Sequence, residues 1–172
     1  MTQCEGQGNN VPVRPVVVLV EGESDRVALE TLAARMGIGM PAVRVVGGSK
    51  GARRAALASA GERLIGLVDV GERADFERVL DTVFVCDPDL EGEFVRVLGV
   101  AGVEAVIAAQ GELGSFRSLQ QQPFQRGRPP EAQLARFFGG RSGNKARYAR
   151  LLAEAVPLDR VPPPLAGLLA AL

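Results

Sequence analysis

Pro15-Val-Val-Val-Leu-Val-Glu-Gly-Glu-Ser-Asp25 decides the fold. The run Val16 to Val20 is continuously apolar and mostly β-branched, as expected of a strand buried on both faces in a parallel sheet. Glu21-Gly22 ends it. Ser24 is the expected cap of a helix in which Val27, Leu29, Leu32, Ala33 and Met36 recur at helical spacing, and Gly37 is its stop. Glu21 therefore sits on a strand-to-helix turn, where open α/β sheets hold their ligands.

The pattern repeats. Leu64-Ile-Gly-Leu-Val68 runs into Asp69, and Val83-Phe-Val-Cys86 runs into Asp87-Pro-Asp-Leu-Glu91. Further strands are expected at Ala42 to Val46 and Val103 to Ala108, with helices at Arg53 to Ala60, Asp75 to Leu80 and Leu90 to Leu98. This cadence predicts a mostly parallel, five-stranded α/β sheet with right-handed crossovers and flanking helices. All three acidic knots then share the C-terminal edge of the sheet. Beyond Gly111 the pattern turns helical, at Glu131 to Phe138 and Ser142 to Val156. Pro162-Pro-Pro164 precedes an apolar tail, Leu165 to Leu172, expected to pack on the domain. The resulting plan is an extended or disordered segment at 1–14, an α/β core at 15–110 and a basic helical extension at 111–172.

A chain of 172 residues, 47% hydrophobic and 23% charged, suits one soluble globular domain. Met1 to Asn10 lacks the basic start and apolar middle of a signal peptide, and no apolar run approaches membrane-spanning length. The expected setting is cytoplasmic, without a membrane partner. Cys4 and Cys86 read as free thiols. The absence of histidine removes imidazole bases, His-ligated zinc and Ser-His or Cys-His nucleophiles.

The net charge of zero hides a split. Residues 1–110 carry 11 Arg or Lys against 16 Asp or Glu, and residues 111–172 carry 9 against 4. An acidic centre beside a basic flank suits a metal site next to a phosphate track. Arginines scattered over solvated helix faces give the same count, and the composition leaves both readings open.

Glu21 and Asp25 are four apart, so both carboxylates can look back over the first strand, and Asp69 is expected on a neighbouring strand. Like charges about 4 Å apart repel by roughly 4 kcal/mol at an effective dielectric near 20, so such a cluster calls for a cation or protonation. Mg²⁺ or Mn²⁺ suits all-carboxylate donors. Glu21 and Asp25 equally serve a plain helix start, where acids complement the dipole.

Val20-Glu-Gly-Glu-Ser-Asp25, Gly66-Leu-Val-Asp-Val-Gly-Glu72, Asp87-Pro-Asp-Leu-Glu91 and Gly143-Asn-Lys-Ala-Arg-Tyr148 together resemble the TOPRIM domain, in the form found in OLD-family (overcoming lysogenization defect) ATP-dependent nucleases. The resemblance spans roughly residues 15 to 156. It implies a Rossmann-like TOPRIM sheet and Mg²⁺- or Mn²⁺-dependent phosphodiester chemistry on nucleic acid, DNA being the expected form and RNA remaining open. It also implies one ion on Glu21 and Asp69, and a second among Asp25, Asp69, Asp89 and Glu91. Lys145 is implied to steady the phosphate, while Arg141, Arg147 and Arg150 track the backbone. Asp87 and Glu72 are reserve ligands.

The chain departs from this pattern at Asp69-Val-Gly71, where TOPRIM domains carry Asp-x-Asp. OLD enzymes join this domain to an ATPase, but Gly139-Gly-Arg-Ser-Gly-Asn-Lys145 fails as a Walker A loop, because Asn144 precedes the lysine and Ala146 replaces Ser or Thr. No bound ATP is expected on this chain. Gly47-Gly-Ser-Lys-Gly51 reads as a strand-to-helix turn. The expectation is a stand-alone nuclease. A nucleic-acid-binding adaptor for a separate ATPase subunit, and a regulator without nucleic-acid contact, are the alternatives. Oligomeric state is open.

Overall fold

The structure, a computed structural model, describes residues 14–172. Cys4 and the segment 1–13 lie outside the described residues. Arg14 is described, with Nη1 3.5 Å from Asp81 Oδ1.

Four strands, β1 (Val16–Val20), β2 (Ala42–Val45), β3 (Arg63–Asp69) and β4 (Thr82–Cys86), form one parallel sheet in the order β2-β1-β3-β4. Alternate residues of β1 feed two cores. Val18 and Val20 join Ile65 and Leu67 on one face, while Val17 and Leu19 join Leu64 and Val68 on the other. Because β1 is covered on both sides, its sequence reads as an unbroken apolar run.

The second face is covered by α2 (Ser49–Ala58) and α3 (Arg73–Phe76), which bring Ala52 and Phe76 against the sheet, and by Leu80 from the segment after α3. Both start earlier than the sequence pattern indicates: α2 begins at Ser49, directly after Gly48, and a 3-10 turn at Val70–Glu72 leads into α3. Gly66 makes this approach possible, since a Cβ there would lie 2.5 Å from Leu80 Cδ1.

The first face carries the larger core. There α1 (Glu23–Met36) packs with α4 (Leu90–Ala109) and α7 (Asn144–Ala155), joined by α5 (Leu113–Gln120), α6 (Pro130–Gly139) and α8 (Pro163–Ala170). The edge-to-face rings of Phe116 and Phe137, 5.3 Å between centroids, continue through Tyr148, 5.8 Å from Phe137. In the tail, Leu165, Leu168 and Leu169 are buried, and a Cβ at Gly167 would sit 2.8 Å from Phe84.

The expected fifth strand is absent. Val103 to Ala108 is the second half of α4, which kinks at Gly99 (φ 70°, ψ 161°) and resumes. Val103 and Ile107 are fully buried four residues apart, so the run serves a helix face. α5 lies where the sequence marked no element. Among the described residues no helix is long and apolar enough to cross a membrane.

Candidate metal centre

The carboxylates come together at the C-terminal edge of the parallel sheet. Glu21 follows β1, Asp69 ends β3, and Glu91 lies in the first turn of α4, after β4. Glu21, Asp25, Asp69 and Glu91 line one cleft of about 360 Å³ with Lys145 from the first turn of α7. Asp25 and Glu91 are buried, at 8% and 4% exposure.

Two of the acids are held by local backbone hydrogen bonds. The Gly22 N–H donates to Asp25 Oδ2 at 2.8 Å, and Gly22, rather than Ser24, is the N-cap of α1. Asp89 caps α4, accepting the Gly92 N–H at 2.8 Å. Its carboxylate borders a neighbouring trough beside Pro88 and Ala132 instead of lining the cleft. Lys145 Nζ donates to Glu91 Oε2 at 3.4 Å. Among the described residues, no three acids close on one point as a ready-made cation cage.

The cleft is short of positive charge. Glu21 Oε2 and Glu91 Oε1 are buried without a hydrogen-bond partner. Burial, then the charges of Asp25, Glu21, Asp89 and Glu91, push Asp69 up to about 7. Burial raises Asp25 to about 6, against the opposing Gly22 hydrogen bond and with help from Glu91 and Glu21. Glu21 is raised by burial and by Glu72, and Glu91 by burial, with Lys145 opposing both. Burial pulls the Lys145 ammonium down, but Glu91, Asp89 and Asp69 outweigh it and leave it raised. Lys145 stays charged. Orphaned buried carboxylate oxygens in a cluster of mutually repelling acids fit a hard divalent cation.

The remaining expected residues divide. Glu72, a reserve ligand, acts on Glu21 through its charge and is half-buried. Asp87 is exposed. Arg147 donates to Glu112 at 2.7 Å and Arg150 to Glu154 at 2.8 Å, so neither lines the cleft. Arg141 borders a separate concavity with Arg136 and Asn144.

Two supports were not foreseen. Buried Glu93 accepts the Asp87 N–H at 3.0 Å through Oε1, with Oε2 2.6 Å from Arg96 Nη1, and so fixes the β4–α4 turn. Its place in the acid-rich first turn of α4 was a legible hint. The Tyr148 hydroxyl donates to Glu112 Oε2 at 2.7 Å, one helical turn from Lys145. No local spacing announces that contact.

No protein-family model matches the chain, and no curated protein matches it. Solved structures do. The C-terminal region of the Burkholderia pseudomallei OLD protein aligns with a TM-score of 0.65 at 18% identity, covering 90% of this chain and 95% of that one. The C-terminal region of the Xanthomonas campestris pv. campestris OLD protein gives 0.65 at 20% identity over 93% and 95%. A second structure of that region gives 0.64 at 21% over 91% and 90%. With its four parallel strands, flanking helices and helical extension, the chain has the fold of the C-terminal region of OLD proteins, a TOPRIM-type α/β fold.

Proposed function

We propose that this chain is a Mg²⁺- or Mn²⁺-dependent nucleic-acid phosphodiester hydrolase or nucleotidyl transferase. One observation carries the reading: Glu21, Asp25, Asp69 and Glu91 line a single cleft with Lys145, and two of their buried oxygens have no partner. Glu21 and Asp69 would hold one ion and Asp25, Asp69 and Glu91 a second, with Asp89, expected as a further ligand, acting from the neighbouring trough through its charge on Asp69. When bound, such a pair lowers the pKa of water and offsets charge on the leaving oxygen. Lys145 keeps its proton and presents positive charge to the phosphoryl group as negative charge builds. Buried Asp25 and Glu91 hold their carboxylates in fixed positions, which limits reorganisation during the reaction.

A second reading, a nucleic-acid-binding adaptor for a separate ATPase partner, draws on Gly71. A Cβ at Gly71 meets nothing within 4 Å, so there is room for the missing carboxylate, yet the chain does not supply it. Supercoiled plasmid incubated with Mg²⁺ or Mn²⁺ separates the two. Nicking by the wild type, lost in Glu21→Ala and Lys145→Ala, supports the enzyme; equal nicking by all three removes it. Binding without nicking supports the adaptor.

A further inference from the structure

A second concavity lies on the other flank of the first turn of α7. It has a volume of about 410 Å³ and is bordered by Ser115 and Gln122 from the α5 side, Arg136 of α6, Arg141 of the α6–α7 turn, and Asn144. Its electrostatics differ from those of the basic residues of α7 itself. Lys145, Arg147 and Arg150 each have a carboxylate within 4 Å, at 3.4, 2.7 and 2.8 Å. Arg136 and Arg141 have none among the described residues. The one acid on the wall, Glu112, already accepts from Arg147 and from the Tyr148 hydroxyl. The concavity therefore presents two guanidinium groups with no carboxylate in contact, Arg141 acting on Glu112 only through its charge, and their planar forks match phosphate oxygens.

The position of this concavity puts it within reach of a strand seated in the carboxylate cleft. Asn144 borders it, while its chain neighbours Gly143 and Lys145 line the carboxylate cleft. One turn of one helix separates the two. A helix with its side chains is about 10–12 Å across, and a strand of duplex DNA advances about 3.4 Å per nucleotide along the duplex axis, so such a strand can reach from one to the other in about three nucleotides.

We propose that Arg136 and Arg141 form a backbone-phosphate subsite about three nucleotides from the phosphate that Lys145 faces, so that the substrate is a strand long enough to span both. The subsite rests on the nuclease reading of the cleft and adds to it a substrate track.

The test measures anisotropy of a labelled DNA oligonucleotide, in Ca²⁺ and over rising salt, for the wild type, Arg136→Ala/Arg141→Ala and Arg78→Ala. Arg78 pairs with Asp75 beside α3 and serves as control. Losing two phosphate contacts is expected to weaken binding at least tenfold at low salt and to flatten the slope of log K against log salt by about 1.5, with Arg78→Ala unchanged. An unchanged slope in the double variant overturns the subsite, as does a wild type that binds no oligonucleotide. Heat of binding from inorganic phosphate alone, abolished by the double variant while the oligonucleotide slope stays intact, overturns it in favour of a free-anion site. If the double variant melts early, Arg141→Glu replaces it, with the same loss expected. Plasmid nicking is scored in parallel. Wild-type binding through the subsite without nicking ends the enzyme reading alone, whereas nicking with an unchanged slope ends the subsite alone.

Discussion

Lys145 Nζ stands 3.4 Å from Glu91 Oε2, although 54 positions separate the residues along the chain. The contact ties the first turn of α7 to the first turn of α4 and brings an ammonium to the rim of the acidic cleft. Glu91 is almost wholly buried, so its carboxylate depends on that neighbour more than an exposed acid would.

Lys145→Ala is expected to lower the rate of Mg²⁺-dependent phosphodiester cleavage by about 10²- to 10³-fold, the usual loss when a charge-stabilising group is removed. It should also lower the melting temperature of the metal-free protein, because Glu91 loses its cation. Adding Glu91→Gln to Lys145→Ala should restore the melting temperature without restoring cleavage. A double variant no more stable than Lys145→Ala would show that the pair is not coupled.

Metal-free stability should fall as pH rises. Asp25 and Asp69 are raised from an ordinary 3.8 to about 6 and about 7. Between 3.8 and those values the folded state keeps protons that the unfolded state has released, so this contribution is full below the lower limit and gone above the upper one. Melting in chelator should therefore give a higher midpoint near about pH 5.5 than near about pH 8. Mg²⁺ or Mn²⁺ at pH about 8 should recover the loss, by about 2.7 kcal/mol when the ion is at a hundred times its Kd. Asp69→Asn should flatten the profile and blunt the response to metal. A chelated wild type more stable at the higher pH contradicts the crowding of acids in the cleft.

Tyr148→Phe removes the donor to Glu112 and leaves the buried ring in place, 4.8 Å from the Phe138 centroid. The expected cost is about 1–2 kcal/mol in denaturant unfolding at neutral pH. Hydrogen bonds from Tyr148 and Arg147 hold Glu112 below its ordinary 4.5. The stability tied to this depressed carboxyl is present above that ordinary value and is lost as pH falls through the folded-state one. The difference between Tyr148→Phe and wild type should shrink over the same descent.

The sheet was readable because its central strands need no partner information: Val16 to Val20 and Leu64 to Val68 are apolar on both faces, and each ends in an acid. The misread segment, Val103 to Ala108, shows the limit of that signal. Its Val103, Val106 and Ile107 fit helical spacing as well as a strand, and the kink at Gly99 broke the stripe that links them to Leu90 and Phe94. In the cleft, Glu21, Asp25, Asp69 and Glu91 were legible from strand ends. The roles of the arginines were less so. Arg150 with Glu154 is an i,i+4 pair visible in the sequence, but Arg147 with Glu112 joins residues 35 apart and follows only from how α7 docks. Asp89 was expected among the ligands but caps α4 and borders the neighbouring trough, a difference that residue identity alone does not show.

Cys86 ends β4 opposite Asp69, at 1% exposure, and burial together with the surrounding acids raises its thiol. A sulfur kept protonated and shut away from solvent reacts with an alkylating reagent only when the strand edge parts from its neighbours. With Cys4 changed to serine, the labelling rate of this native thiol becomes a clock for the opening of the sheet. Cations that knit the rim together should make that clock run slower.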